Sequence, residues 1–169
     1  MEPLTPVDDH LQPDMKILFV GFNPSIRSSE TGHHFANPTN RFWKILHESG
    51  LTPRKLAPEE DSQLLAYGYG LTNIVARPTK EAAEISKAEY AEGRAILQEK
   101  IMALQPKAVC FVGKGVYQEF SKKRKVDWGV QPEPVIPGII EYVAPSSSGL
   151  VRMKLPEVIE IYAGLKTLG

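Results

Sequence analysis

The segment Met15–Gly21, MKILFVG, is the strongest constraint on the fold of this chain. Four apolar residues in succession, Ile17, Leu18, Phe19 and Val20, end at a glycine. A run this short that is apolar on both faces is the pattern of a strand covered by helices on either side, as in a parallel sheet. It breaks into Phe22-Asn23-Pro24-Ser25. The ring of Pro24 pushes Asn23 out of the helical region toward extended geometry, so an asparagine is held in a defined conformation just past a strand. In open α/β sheets, ligands bind in the crevice beyond the carboxyl ends of the strands. Asn23 is therefore either a site residue or an ordinary turn residue.

The remaining pattern repeats the alternation. Strands are expected at Leu71–Val75, at Ala108–Val112 and around Tyr142-Val143. A long loop, Ser25–Thr39, precedes a helix capped by Asn40 that carries Phe42, Ile45 and Leu46 and closes at Gly50. A short helix over Pro58–Ala66 leads to a turn at Gly68 and Gly70. Ser86 and Glu89 form a capping box opening a helix that stops near Pro106. Gly113-Lys114-Gly115 turns into a helix through Phe120, the stretch Val126–Gly138 is broken by prolines, and a last helix runs from Pro156 to Leu165. Strands alternating with helices predict an α/β fold with a mainly parallel central sheet between helical layers. Residues 1–14 read as a loose lead-in and residues 15–169 as one domain, since no repeat or linker divides them.

Charge and cysteine content narrow the chemistry. The 20 basic and 20 acidic residues cancel, so any contact with nucleic acid needs a local surface rather than a basic protein. The single cysteine, Cys110, excludes an internal disulfide and clusters built on several thiolates, and its apolar surroundings predict a buried thiol. No apolar segment approaches the length of a membrane span, and the N-terminus lacks a basic-then-apolar signal. The expectation is a soluble, cytoplasmic monomer without a membrane partner.

Several constellations invite chemistry. Gly113-Lys114-Gly115 lacks the spacing of a phosphate loop and reads as a strand–helix turn. His33 and His34 are adjacent, point apart in most backbones, and are far in sequence from His10 and His47, so no metal and no cofactor is expected. Ser146-Ser147-Ser148 lacks a nucleophile elbow and a following histidine. Its hydroxyls and backbone amides suit phosphate oxygens better. Lys122–Arg124 is a solvated helix end or a DNA contact. Asn23 has a carboxamide that does not titrate near neutrality, so it cannot serve as a strong general base. It can orient a water, which suffices when a stabilised nucleobase anion leaves a cation-like sugar carbon.

The segment GFNPSIRSSETGHHFANPTNRFWK, together with LTNIVARPT, ISKAEYAEGRAIL and APSSSGLVR, resembles the mismatch-specific uracil and thymine DNA glycosylase family of the uracil-DNA glycosylase superfamily. The resemblance implies a three-layer α/β sandwich and a monofunctional enzyme that flips uracil out of double-stranded DNA, with G·U mismatches as the expected context. It makes Asn23 the residue that positions water at C1′ and sets the Phe22 amide against a base carbonyl. Phe35 becomes the stacking ring, His34, Asn73 and Thr79 become pocket residues, and Ser28 lies near the base 5-position. Ser146, Ser147, Ser148 and Gly149 would hold phosphates, Leu150 would wedge into the vacated stack, and Arg152 would contact phosphate or the opposite strand. Members often read GINPG, so Phe22 and Ser25 depart from the pattern, and Ser25 is expected to alter the pocket. No lysine belongs to the catalytic segment, so strand cleavage is not expected. A mismatch-binding module without useful catalysis and a nucleoside hydrolase are the alternatives.

Overall fold

A computed structural model describes residues 5–168; the first four residues of the lead-in and Gly169 lie outside the described residues. Among the described residues, five strands form one sheet: β1 (Ile17–Gly21), β2 (Tyr69–Asn73), β3 (Ala108–Val112), β4 (Gly129–Val130) and β5 (Ile140–Ala144). Their order is β2-β1-β3-β5-β4, parallel except for β4, which runs antiparallel to β5 at one edge. The expected α/β class and mainly parallel sheet are both present.

The strands are buried on both faces because successive side chains point to opposite sides. In β1, Leu18 and Val20 enter one core with Val109 and Phe111 of β3, while Ile17 and Phe19 enter the other with Ala108 and Cys110. The first core is covered by α3 (Lys87–Leu104) and α4 (Lys114–Ser121), through Leu97, Ile101, Val116 and Phe120. The second is covered by α2 (Phe42–Glu48) and α5 (Leu155–Ala163), through Phe42, Leu46, Val158 and Tyr162. The result is helix, sheet, helix. Burial pushes the Cys110 thiol well above its ordinary range, which leaves it a small inert hydrophobe. Among the described residues, no helix is long and apolar enough to cross a membrane.

Several local expectations change. The loop after Ser25 contains a helical turn, α1 (Ile26–Thr31), ended by Gly32 in the left-handed region. Pro58–Tyr67 is 3-10 rather than α-helical. β2 begins two residues earlier than the apolar run suggested. Gly70 belongs to the strand, because a Cβ there would lie 2.2 Å from the Met15 sulfur; close packing rather than a turn requires it. The lead-in is also not loose. Val7 is buried, and the His10 backbone exchanges two 2.9 Å hydrogen bonds with Leu71 on the free edge of β2.

The proline-broken stretch is anchored by a group that gave no sequence signal. Glu141 in β5 is 1% exposed, and its carboxylate accepts hydrogen bonds from Tyr117 Oη (2.7 Å), Val135 N (2.9 Å) and Ile136 N (2.9 Å). Burial, reinforced by this carboxylate, raises the Tyr117 hydroxyl well above its ordinary pKa. Removing the carboxylate strands three donors at about 1–3 kcal/mol each. Glu141→Leu is therefore expected to lower stability by several kcal/mol, read as a reduced denaturant midpoint at unchanged slope. An unchanged midpoint would show that the stretch is held by other contacts.

The chain leaves β1 toward β2 on one side and returns to β3 on the other. The reversal places a crevice at the carboxyl ends of β1 and β3, where Phe22-Asn23 and Gly113 emerge.

Candidate active site

A cavity of about 380 Å³ opens over these strand ends, with Gly21, Asn73, Val112 and Ser146 at its floor and rim. Asn23, Phe22, Ser25, Ser28, His34, Phe35, Thr79 and Ser146–Leu150 also line it, so segments far apart in sequence converge on one space. Arg152 is exposed and lies outside the cavity lining.

The orientation of Asn23 follows from its partners. Its Nδ2 donates to the Arg77 carbonyl (2.7 Å) and to Thr79 Oγ1 (2.8 Å). Thr79 Oγ1 itself donates to the Glu81 carbonyl (2.8 Å), so toward Asn23 it can only accept. Both amide hydrogens are engaged. Oδ1 is left as an acceptor with no protein donor among the described residues. A carboxamide fixed this way can take a hydrogen from a water while leaving a water lone pair free to attack. Arg77 is tied in turn to α3 by a two-pronged contact with Glu89 (2.7 and 3.0 Å), and that hydrogen bonding holds the Glu89 carboxyl at about 2.

The Phe22 ring packs against Tyr90 and the glycines that start α4. A Cβ on Gly115 would lie 2.6 Å from that ring, so Gly113-Lys114-Gly115 is a packing device for the phenylalanine. Phe35 has a left-handed backbone (φ 51°) and stacks on buried Phe42 at 4.0 Å and 16°. One ring face is backed by protein while the side chain contributes to the cavity wall. The Asn73 amide faces Gly21, where a Cβ would lie 2.7 Å from Oδ1, so the glycine makes room for it.

Ser25 lines the cavity, and its hydroxyl is also used at the start of α1. It is the N-cap of α1, accepting from Ser28 N (3.0 Å) and donating to Ser28 Oγ (3.2 Å). Buried Ser28 also accepts from Ala36 N (3.1 Å), which ties this helix to the segment carrying Phe35.

The serine turn is shaped by its own hydroxyls. Ser146 Oγ accepts from Ser148 N and Ser148 Oγ from Leu150 N, both at 3.2 Å. Those two amides are thus occupied, and the hydroxyl protons of Ser146 and Ser148 remain as donors; Ser147 is buried. Gly149 packs where a Cβ would meet the Thr39 carbonyl at 2.7 Å. At the tip, Leu150 is 92% exposed.

A family model for the uracil DNA glycosylase superfamily matches residues 9–166. The chain belongs to that superfamily. A solution NMR structure of a candidate uracil DNA glycosylase from Methanosarcina acetivorans matches with a TM-score of 0.62 at 19% identity, covering 98% of this chain and 99% of that one. At this identity the likeness speaks for the fold. Membership in the uracil DNA glycosylase superfamily supports DNA glycosylase chemistry, with DNA as the substrate.

For a uracil DNA glycosylase superfamily chain, three features here were not read from sequence. Asn37, Thr39 and Asn40 line the cavity, with Thr39 packed against Gly149 of the serine turn. Asn40 does cap α2, one residue earlier than the helix N-cap, by accepting from Phe42 N (3.0 Å). Lys80, solvent-exposed, sits on the cavity wall, although no lysine is near Asn23 in sequence. His34 meets residues remote in sequence: its Nε2 lies 2.8 Å from the Asp8 carbonyl, its backbone N–H donates to buried Asp61 (2.9 Å), and His10 Nε2 lies 3.2 Å from the same carboxylate. Burial lowers the His34 pKa, so the ring is neutral at neutral pH.

Proposed function

We propose that the chain is a monofunctional DNA glycosylase of the mismatch-specific uracil and thymine DNA glycosylase branch, removing uracil from double-stranded DNA as a monomer, with G·U mismatches as its context. The observation that carries this reading is the Asn23 carboxamide at the cavity, pinned through both Nδ2 hydrogens and with no donor to Oδ1 among the described residues.

In this reading the flipped base enters between Phe35 and the end of β1, gaining about 1–3 kcal/mol from stacking. Asn73 meets its polar edge. A water donates one hydrogen to Asn23 Oδ1 and directs its oxygen at C1′. The C1′–O bond forms as the C1′–N1 bond breaks, and the bonding pair leaves with the base. The surplus water proton passes to solvent, because the carboxamide does not hold it. The Phe22 amide faces the base carbonyl oxygen on which charge grows. Ser146 and Ser148 hydroxyls hold the flanking phosphates while Leu150 fills the gap in the stack.

The test is release of free uracil from duplexes carrying uracil opposite guanine or adenine, with the strand read before and after alkali. The expected product is an abasic site that breaks only with alkali. Binding to mismatched duplex without base release would select the binding-module reading. Nicking without alkali would overturn the monofunctional assignment and point to Lys80.

Leu150 separates duplex processing from base chemistry. Burial of a leucine side chain contributes about 1.5–3 kcal/mol, so Leu150→Ala is expected to slow single-turnover release from duplex by roughly 10–100-fold. Single-stranded substrate should lose far less. Equal losses on both substrates would remove the wedge role.

A further inference from the structure

We propose that His10, His34 and Asp61 form a binding site for one divalent transition-metal ion, with zinc the best match to the donor set. One ligand atom from each of the three residues lies within 4.8 Å of the others. Tetrahedral coordination with bonds of about 2.0–2.1 Å sets ligand atoms about 3.3 Å apart. His10 Nε2 and Asp61 Oδ1 are already at that separation, 3.2 Å. Two imidazoles and one carboxylate with an open fourth position is a donor set suited to zinc.

Two further observations point to a cation. Asp61 is 2% exposed, and among the described residues its ion-pair partners are His10 and His33 rather than a lysine or arginine. A buried carboxylate without a permanent positive partner is costly, and an ion seated among these ligands removes that cost. His34 is also prepared as a ligand. The Asp8 carbonyl only accepts, so Nε2 carries the proton and Nδ1 keeps its lone pair. An imidazole fixed through its second nitrogen by a carbonyl is the arrangement that orients metal-bound histidines. His33 Nδ1 also lies 3.3 Å from Asp61 Oδ1, and its side chain is partly exposed.

The ion would join three remote segments: the lead-in at His10, the cavity wall at His34 and the 3-10 helix at Asp61. Its role is to fasten the lead-in to the pocket, and no step of base release passes through it. The inference is independent of the glycosylase reading.

The full chain, dialysed against chelator, is titrated with zinc by calorimetry and followed by thermal unfolding. Saturation at one zinc per chain and a thermal midpoint that rises with zinc are expected, with cobalt giving the visible absorption of a tetrahedral site. His10→Gln, which alters a partly exposed side chain outside the catalytic set, should weaken binding at least tenfold and abolish the midpoint rise. Asp61→Asn should do the same if it folds, and circular dichroism of both variants checks that. Equal zinc affinity in wild type and His10→Gln, or no saturable binding, would overturn the proposal and leave a purely hydrogen-bonded cluster. Uracil release from the same samples reports separately on the catalytic reading.

Discussion

Asn23→Ala is expected to release uracil at least about 10²-fold more slowly than the wild type, at unchanged affinity for duplex carrying an abasic analogue. In the proposed mechanism the side chain acts on the water and not on the DNA, and loss of one positioned group in such a site costs about that much or more. Thr79→Val should give a smaller loss, because it removes one of the two acceptors that orient the amide while the Arg77 carbonyl remains. Single-turnover base release measures both. Wild-type rates in Asn23→Ala would show that the water is positioned elsewhere, and a Thr79→Val loss equal to that of Asn23→Ala would show that the Arg77 carbonyl contributes nothing.

Gly93→Ala should impair both folding and catalysis, although Gly93 is on a helix face away from the cavity lining. A Cβ at this position would lie 1.9 Å from the Ile74 carbonyl oxygen and 3.0 Å from its carbon. Neither is the end of a flexible side chain, so α3 or the Ile74–Thr79 segment has to move. Ile74 and Val75 are bonded to the Gly21 and Phe22 carbonyls, and Arg77 and Thr79 hold Asn23. Overpacking of this kind costs about 1–3 kcal/mol and more against backbone, partly offset by the better helix propensity of alanine, about 1 kcal/mol. A displacement near 1 Å at Asn23 costs about 10²-fold in rate. Denaturant unfolding and single-turnover release report the two effects. A variant as stable and active as wild type would mean that the helix shifts freely.

Local periodicity made most of the frame legible. The apolar runs at Ile17–Val20 and Ala108–Val112 became β1 and β3, and the Ser86/Glu89 pair opens α3 with both capping bonds formed. What local pattern could not carry was contact between distant segments. Gly70 read as a turn residue and Gly93 carried no signal, since the Met15 sulfur and the Ile74 carbonyl that they accommodate are remote in sequence. Glu141 had the look of a polar residue beside a strand because its three donors lie on other segments. The same holds at the site. Asn23 was identifiable from its place after β1, whereas the fixed direction of its amide depends on Arg77 and Thr79. Asp61 was one acidic residue in an acidic stretch until folding surrounded it with His10, His33 and the His34 backbone.

The two bonds between His10 and Leu71 bear on how the protein behaves in a crowded solution. A sheet edge with free N–H and C=O groups is a template for pairing with another chain. On one flank that edge is β2, and the lead-in lies across its middle; on the other flank it is β4, only two residues long. Both ends of the sheet are poor templates. Leu150 is one of several large apolar side chains exposed on the surface. Covered strand edges leave such side chains without an adjoining pairing edge to act with.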